Sequence, residues 1–144
     1  MLLAIASLFI FICSCGPSKQ TTSGQDISAL RGSWQLNYIS GPRISFDGLY
    51  PDQKPVLTFE IARKRIEGST SCNSISGAFT ADGKKIKFED NLTISKTACT
   101  GDGESVFLQT LKKINGYDIT AGQVLTLSMD NVALMRFTKI AGTF

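Results

Sequence analysis

Cys72 and Cys99 are the two residues in the body of the chain whose type best suits chemistry, and what they can do depends on their surroundings. A thiolate is a nucleophile and a metal ligand, but near neutral pH it needs a base or a positive neighbour to form. The 144 residues include no histidine. Ser-His-Asp and Cys-His pairs are thereby excluded, and the usual zinc sites lose their commonest nitrogen ligand. Asn73 and Gly77 could form a ligand site, a buried amide gripping a polar group beside a permissive glycine. The stronger expectation is structural, because Asn tolerates left-handed backbone and bonds nearby backbone groups, while Gly inside a strand marks a bulge or a close approach. Glu104 could act as a base, yet its place at the start of a helical pattern already explains it. Trp34 fits a core residue better than a sugar platform. No spacing sets a nucleophile beside a base, so the chain is expected to have no catalytic residue, no metal, no cofactor and no enzyme activity.

Two further cysteines stand in a different context. Met1 to Ser14 is an uncharged apolar run that stops at Cys15-Gly16-Pro17-Ser18-Lys19. It is too short to span a bilayer, which needs about 20 apolar residues, and fits a secretion segment. Ile12-Cys13-Ser14-Cys15 is similar to a bacterial lipobox, which implies cleavage before Cys15 and lipid on its thiol and new amine, a multi-chain anchor. No Lys or Arg precedes the apolar run. Gly16 in place of Asp favours the outer membrane by the same resemblance. Gly16 to Gln25 is polar and cannot bury enough area to fold, so it is expected to be a flexible tether. The organisation expected is a signal peptide at 1–14, a lipidated cysteine and tether at 15–26, and one domain at 27–144. In an exported chain, Cys72 and Cys99 are a plausible disulfide; two free thiols or a reactive or metal-binding pair are the alternatives.

The elements that must hold these residues are mostly strands. With 42% hydrophobic and 19% charged residues the chain can build a core. The balance of 15 basic against 12 acidic residues leaves no block resembling a nucleic-acid arm. From Gly32 onward apolar residues alternate: Trp34, Leu36 and Tyr38; Leu57, Phe59 and Ile61; Ile86 and Phe88; Leu125, Leu127 and Met129. Asp82-Gly83 and Asp130-Asn131 supply turns. Phe107, Leu111 and Ile114 recur at helical spacing, with Asp102 as cap, Lys112 and Lys113 at the negative end and Gly116 as stop. The expected fold is mainly β (α+β), an antiparallel β-barrel-like sheet of about eight short strands with one helix at about 103–114 that plugs or flanks one end. The stretch from Ser40 to Pro55 is the one long loop, where Arg43, Phe46 and Tyr50 are the candidate partner-binding residues.

Several segments together carry a resemblance. Leu30-Arg31-Gly32-Ser33-Trp34, Ile66-Glu67-Gly68, Cys72-Asn73-Ser74-Ile75-Ser76-Gly77, Thr97-Ala98-Cys99 and Glu104 with Phe107 and Leu111 resemble the META domain of HslJ-like envelope lipoproteins, over roughly Ile27 to Phe137. Ser71 stands where that family usually has Gly, and Ser95 and Thr97 also depart from its pattern. The resemblance implies a small barrel-like domain of the bacterial envelope, associated in some members with stress response, drug tolerance or motility, without established catalysis. Gly32-Ser33-Trp34 also resembles the opening of lipocalins, which implies a carrier of a small apolar ligand as the second reading. The expectation is a monomer, attached to the membrane through its lipid and meeting an envelope protein or surface partner, with no nucleic acid. The basic groups at Arg63 to Arg65 and at Lys84, Lys85 and Lys87 are expected to be solvated turn charges, with phosphate-rich lipid or polysaccharide as the alternative.

Overall fold

The computed structural model describes residues 26–142. The expected leader, the lipidated Cys15 and most of the tether lie outside the described residues. Asp26 opens the body: its carboxylate accepts from the Ser28 hydroxyl (2.6 Å) and amide (2.9 Å). Those two bonds, the hydroxyl first, hold its carboxyl below the usual range. A short 3-10 turn, Ile27–Leu30, leads into β1, Gly32–Ile39. There follow α1 (Phe46–Leu49), β2 (Val56–Glu60), β3 (Arg65–Ser69), β4 (Ser74–Asp82), β5 (Lys85–Phe88) and β6 (Thr93–Ile94). Then come α2 (Gly103–Leu111), β7 (Gly116–Thr120), β8 (Val124–Met129) and β9 (Val132–Ile140).

Eight strands close into an antiparallel barrel in the order β3-β2-β1-β9-β8-β7-β5-β4, with β4 returning to β3, and β6 adds a short ninth strand on β4. Closure leaves no edge in the wall proper. The seam between β5 and β7 is its thinnest line, a single residue pair, Lys85 opposite Gly116, flanked by Ile86 N to Asn115 O (3.3 Å) and Tyr117 N to Lys84 O (2.8 Å).

The interior follows from alternation. Leu57 and Phe59, Ile75 and Phe79, Ile86 and Phe88, Leu125 and Leu127, and Met135 and Phe137 point inward at period two. A register shift between Leu36 and Tyr38, where β1 meets β9, puts Leu36 and Ile39 in the core and leaves Tyr38 outside beneath Arg136. Trp34 is fully buried, donating to Leu30 O at 2.7 Å, with the Lys139 ammonium 5.0 Å from its ring. Phe107 and Leu111 of α2 belong to the same core cluster. The barrel is filled by side chains, Trp34, Phe59, Phe79, Phe107 and Phe137 among them. Wall and core both lie within residues 26–142, so this body carries what it needs to fold by itself.

Because neighbours in the wall are antiparallel, the barrel has two distinct rims. The near rim holds the start of β1, the end of β9 and the turns at 61–64, 83–84 and 121–123. The far rim holds the connection 40–55, the turn 70–73, β6 and α2, while across the thin β5–β7 seam the turn 130–131 comes beside Lys84 and Lys85.

Several local expectations are corrected. The helix ends at Leu111, and the chain continues to Ile114 through tighter bonds, Lys113 N to Thr110 O and Ile114 N to Leu111 O. Asp102 stands at the N-cap but its side chain makes no capping bond. Gly116 does not stop the helix; it starts β7, where an added Cβ would lie 2.8 Å from Ser128 Oγ. Asp82 is the last residue of β4, and the positive φ of that hairpin belongs to Gly83. Asp130 and Asn131 both have positive φ, as their two-residue turn requires. The connection 40–55 is not all loop: it contains α1, capped by Ser45 Oγ, and it buries Leu49 and Tyr50.

Candidate functional site

The far rim gathers four of the residues singled out above: Cys72, Asn73, Cys99 and Glu104. The turn from β3 to β4 begins at fully buried Thr70 and passes through Ser71, whose φ is 91°. An L side chain is disfavoured there, which accounts for the Gly that the family pattern prefers at this position. Cys72 and Cys99 form a disulfide with Cα atoms 5.8 Å apart, tying this turn to the segment that leads into α2. Cys72 is exposed, whereas Cys99 and Glu104 are half-buried.

Asn73, 3% exposed, is the hub. Its Nδ2 lies 3.0 Å from Thr97 O, 3.1 Å from Glu104 Oε1 and 3.1 Å from Cys99 Sγ. Its Oδ1 accepts from Ser95 Oγ and Thr97 N, both at 2.8 Å. Glu104 Oε2 in turn accepts from the Thr70 hydroxyl. The backbone N–H of Asn73 donates to Thr70 Oγ1 at 3.1 Å. Two amide protons and one carbonyl oxygen thus meet at least as many partners as they can serve, and no capacity is left for a ligand. The geometry is that of a clamp holding the 95–99 segment and the first turn of α2 onto the β3–β4 turn.

The same atoms decide the metal question. Both sulfurs and a Glu104 oxygen lie within 4.8 Å of one another. Cysteine binds a metal as thiolate, and the disulfide has none to offer, so of these three groups a single carboxylate remains as a strong donor. That carboxylate already serves Asn73 and Thr70.

The other singled-out residues lie elsewhere. Gly32 and Trp34 are at the near rim, across the barrel from the cysteines. Gly77 lies in β4, where an added Cβ would sit 2.3 Å from Leu92 Cδ2, so its role is close packing rather than contact with a ligand. In the 40–55 connection Arg43 is exposed and Phe46 half-buried, with its ring 5.1 Å from that of Tyr50 and the Lys54 ammonium 5.4 Å from its centroid. Tyr50 is not offered to a partner: it is 2% exposed, and its hydroxyl donates to Gly103 O at 3.0 Å. Burial pushes its phenol up to about 12. Gly103 must be glycine, since a Cβ there would come 2.5 Å from Leu49 O.

Sequence reasoning misses Thr70, Ser95 and Thr97 in the polar network and Ile44 on the loop. Ile44 is 49% exposed, a large apolar side chain beside Arg43. A cleft of about 430 Å³ runs beside this loop, lined by Leu49, Tyr50, Pro51, Ser71, Cys72 and Ala98. For Ser95 and Thr97 the sequence signal is their alternation with Cys99, which places three short polar side chains on one side of an extended segment; Thr70 has no such signal.

No curated protein sequence matches the chain. Among solved structures, an NMR structure of a protein from Burkholderia xenovorans superposes with a TM-score of 0.59 at 23% identity, covering 80% of this chain and 88% of that one. A crystal structure of a DUF4847 family protein from Bacteroides vulgatus gives 0.55 at 15% identity, covering 79% and 96%. At these identities the likeness concerns the fold. The META domain family model matches residues 26–141, which takes in the whole barrel, the clamp around Asn73 and the helix it holds, and the chain belongs to the META domain family.

Proposed function

We propose that the protein is a lipid-anchored, non-catalytic module of the bacterial envelope that meets a protein or surface partner through its far rim and contributes to envelope stress tolerance. The observation that carries this reading is the filled interior: the large aromatic side chains named above occupy the barrel, and the polar cluster at its mouth is satisfied from within. A carrier of an apolar ligand needs a cavity of some hundreds of Å³ where those rings stand. The surface we assign to recognition is the 40–55 connection with its adjoining cleft, where Arg43 and Ile44 are among the exposed residues and Tyr50 is not.

Anchoring and recognition are tested separately. The lipobox supports diacylglycerol on the Cys15 sulfur, so intact-mass analysis of the native protein should find acyl groups there, and Cys15→Ser should leave the membrane fraction or persist as an uncleaved precursor. An unmodified Cys15 would end the anchoring reading. For recognition, Arg43→Glu with Ile44→Ser should keep the melting temperature yet fail to rescue a deletion strain under envelope stress. Full rescue by that variant would remove the loop from the proposal.

A further inference from the structure

The near rim is charged unevenly, and its charges come from segments far apart in sequence. The β2–β3 turn contributes Arg63, Lys64 and Arg65, and the β4–β5 turn contributes Lys84 and Lys85, all exposed. Arg31 is exposed where the chain enters β1. Carboxylates on this rim neutralise part of the set: Glu60 lies 3.4 Å from Arg63, and Asp118 lies 2.9 Å from Lys84. Asp26 is held by Ser28, Asp82 is exposed at the turn, Asp130 borders Lys84 and Lys85, and Glu67 lines the same cleft as Arg31. Among the described residues, Arg31, Lys64, Arg65 and Lys85 form no ion pair. Lys64 is exposed in its turn and holds a left-handed backbone, with φ 51°. The far rim mixes both signs instead, with Asp47, Asp52, Asp90 and Asp102 among its bases.

We infer that the near rim is a docking surface for anionic phospholipid headgroups, so that the barrel rests on its membrane with the disulfide and the 40–55 connection facing away. This rests on the anchored reading above for its supply of membrane, while the surface itself is argued from the barrel alone. The occupant follows from where the chain arrives. Asp26 enters at this rim, and Cys15 is eleven residues upstream, a span of at most about 40 Å when fully extended. A lipid on Cys15 would therefore confine this rim close to the bilayer, and such tethering turns a weak contact into a populated one. Each Lys or Arg brought to an anionic surface strengthens binding about fivefold, and the effect fades within a Debye length of about 8 Å at physiological salt. The turns project the charge outward from the barrel wall, where that short range suffices.

The test uses the folded body, residues 26–142, which has neither leader nor Cys15. It should float with vesicles of phosphatidylglycerol and phosphatidylcholine, not with phosphatidylcholine alone, and salt should release it. Lys64→Glu, Arg65→Glu and Lys85→Glu together should lower the partition by on the order of a hundredfold. Lys112→Glu with Lys113→Glu, the same kind of change at the far rim, should leave most of the binding. Melting curves confirm that both variants fold. Equal binding to neutral vesicles, an equal loss in the two variants, or binding to lipopolysaccharide core sugars without phosphatidylglycerol would each overturn the inference. An unlipidated Cys15 alongside charge-dependent binding of the body would count against the anchor and not against the surface, whereas a lipidated Cys15 with a body indifferent to phosphatidylglycerol would do the reverse.

Discussion

Asn73 Nδ2 lies 3.1 Å from Glu104 Oε1, joining the turn after β3 to the first turn of α2 across 31 positions of sequence. The carboxylate therefore does more than offset the helix dipole: it is the acceptor that orients the amide, and the amide's other end holds Thr97 and Ser95. Removing the amide strands several part-buried groups at once. Asn73→Ala should destabilise the domain by about 2–4 kcal/mol, read as a lower urea midpoint at unchanged slope. Glu104→Gln keeps an oxygen for Asn73 and should cost less than about 1 kcal/mol. Equal losses in the two variants would mean that charge, not the hydrogen bond, holds the joint.

The disulfide closes a loop with a sequence separation of 27. On the chain-entropy account it contributes about 3.5 kcal/mol, so Cys72→Ala with Cys99→Ala should lower stability by that order. Thiol labelling of the unfolded, unreduced protein should find neither cysteine free. Quantitative labelling of both would show that the bond does not form in the cell.

Tyr117 is buried, and among the described residues its hydroxyl has no hydrogen-bond partner. Burial, with the Asp26 carboxylate adding to it, raises its phenol. Tyr117→Phe should therefore be neutral or should stabilise the protein by about 1 kcal/mol, which a melting comparison can resolve. A clear destabilisation would reveal a bonded water beneath the barrel floor.

Ser71 holds a positive φ of 91°. Ser71→Gly relieves that strain but gives the unfolded chain more freedom, and the difference should be a gain of about 0.5–1 kcal/mol. Ser71→Val should lose more than that gain, because a branched Cβ is least tolerated there. If both variants melt with the wild type, the turn adapts and the backbone conformation carries no energy.

Tyr50 gives the pH prediction. Its folded pKa is raised to about 12 from 10.0, so the folded state keeps a proton that the unfolded state loses. Its contribution is complete below pH 10 and is lost as pH rises towards 12. Alkaline unfolding between those limits should weaken in Tyr50→Phe, at the cost of the bond to Gly103. An unchanged alkaline limb would point to the lysines instead.

What could be read in advance follows the range of the interactions. The alternation through Leu57 and Phe59 or Leu125 and Leu127 is local, as are the Asp130-Asn131 turn and the apolar stripe of α2, and these are visible in sequence. β7 is not, because five residues with Asp118 at the centre and a glycine at the start carry little pattern. Tyr50 has the composition of an interface residue, and only its meeting with Gly103, 53 positions away, makes it core. Asn73 stands out in sequence beside Cys72, but its partners do not, since Thr97 and Glu104 come to it through the fold. The basic rim is legible only in part: Arg63 to Arg65 and Lys84 with Lys85 stand out as two basic groups in sequence, but only closure of the wall brings them and Arg31 to one end.

The order of strands around the wall has a consequence for when the domain can exist. β9 lies between β1 and β8, so the first strand made and the last are neighbours, and the barrel stays open until residue 140 is available. Pairings this distant in sequence form slowly. While the chain is still being synthesised, Trp34, Leu36 and Phe59 therefore stay exposed, and the interval between β1 and β9 becoming available is the period in which this protein is vulnerable to proteolysis and aggregation.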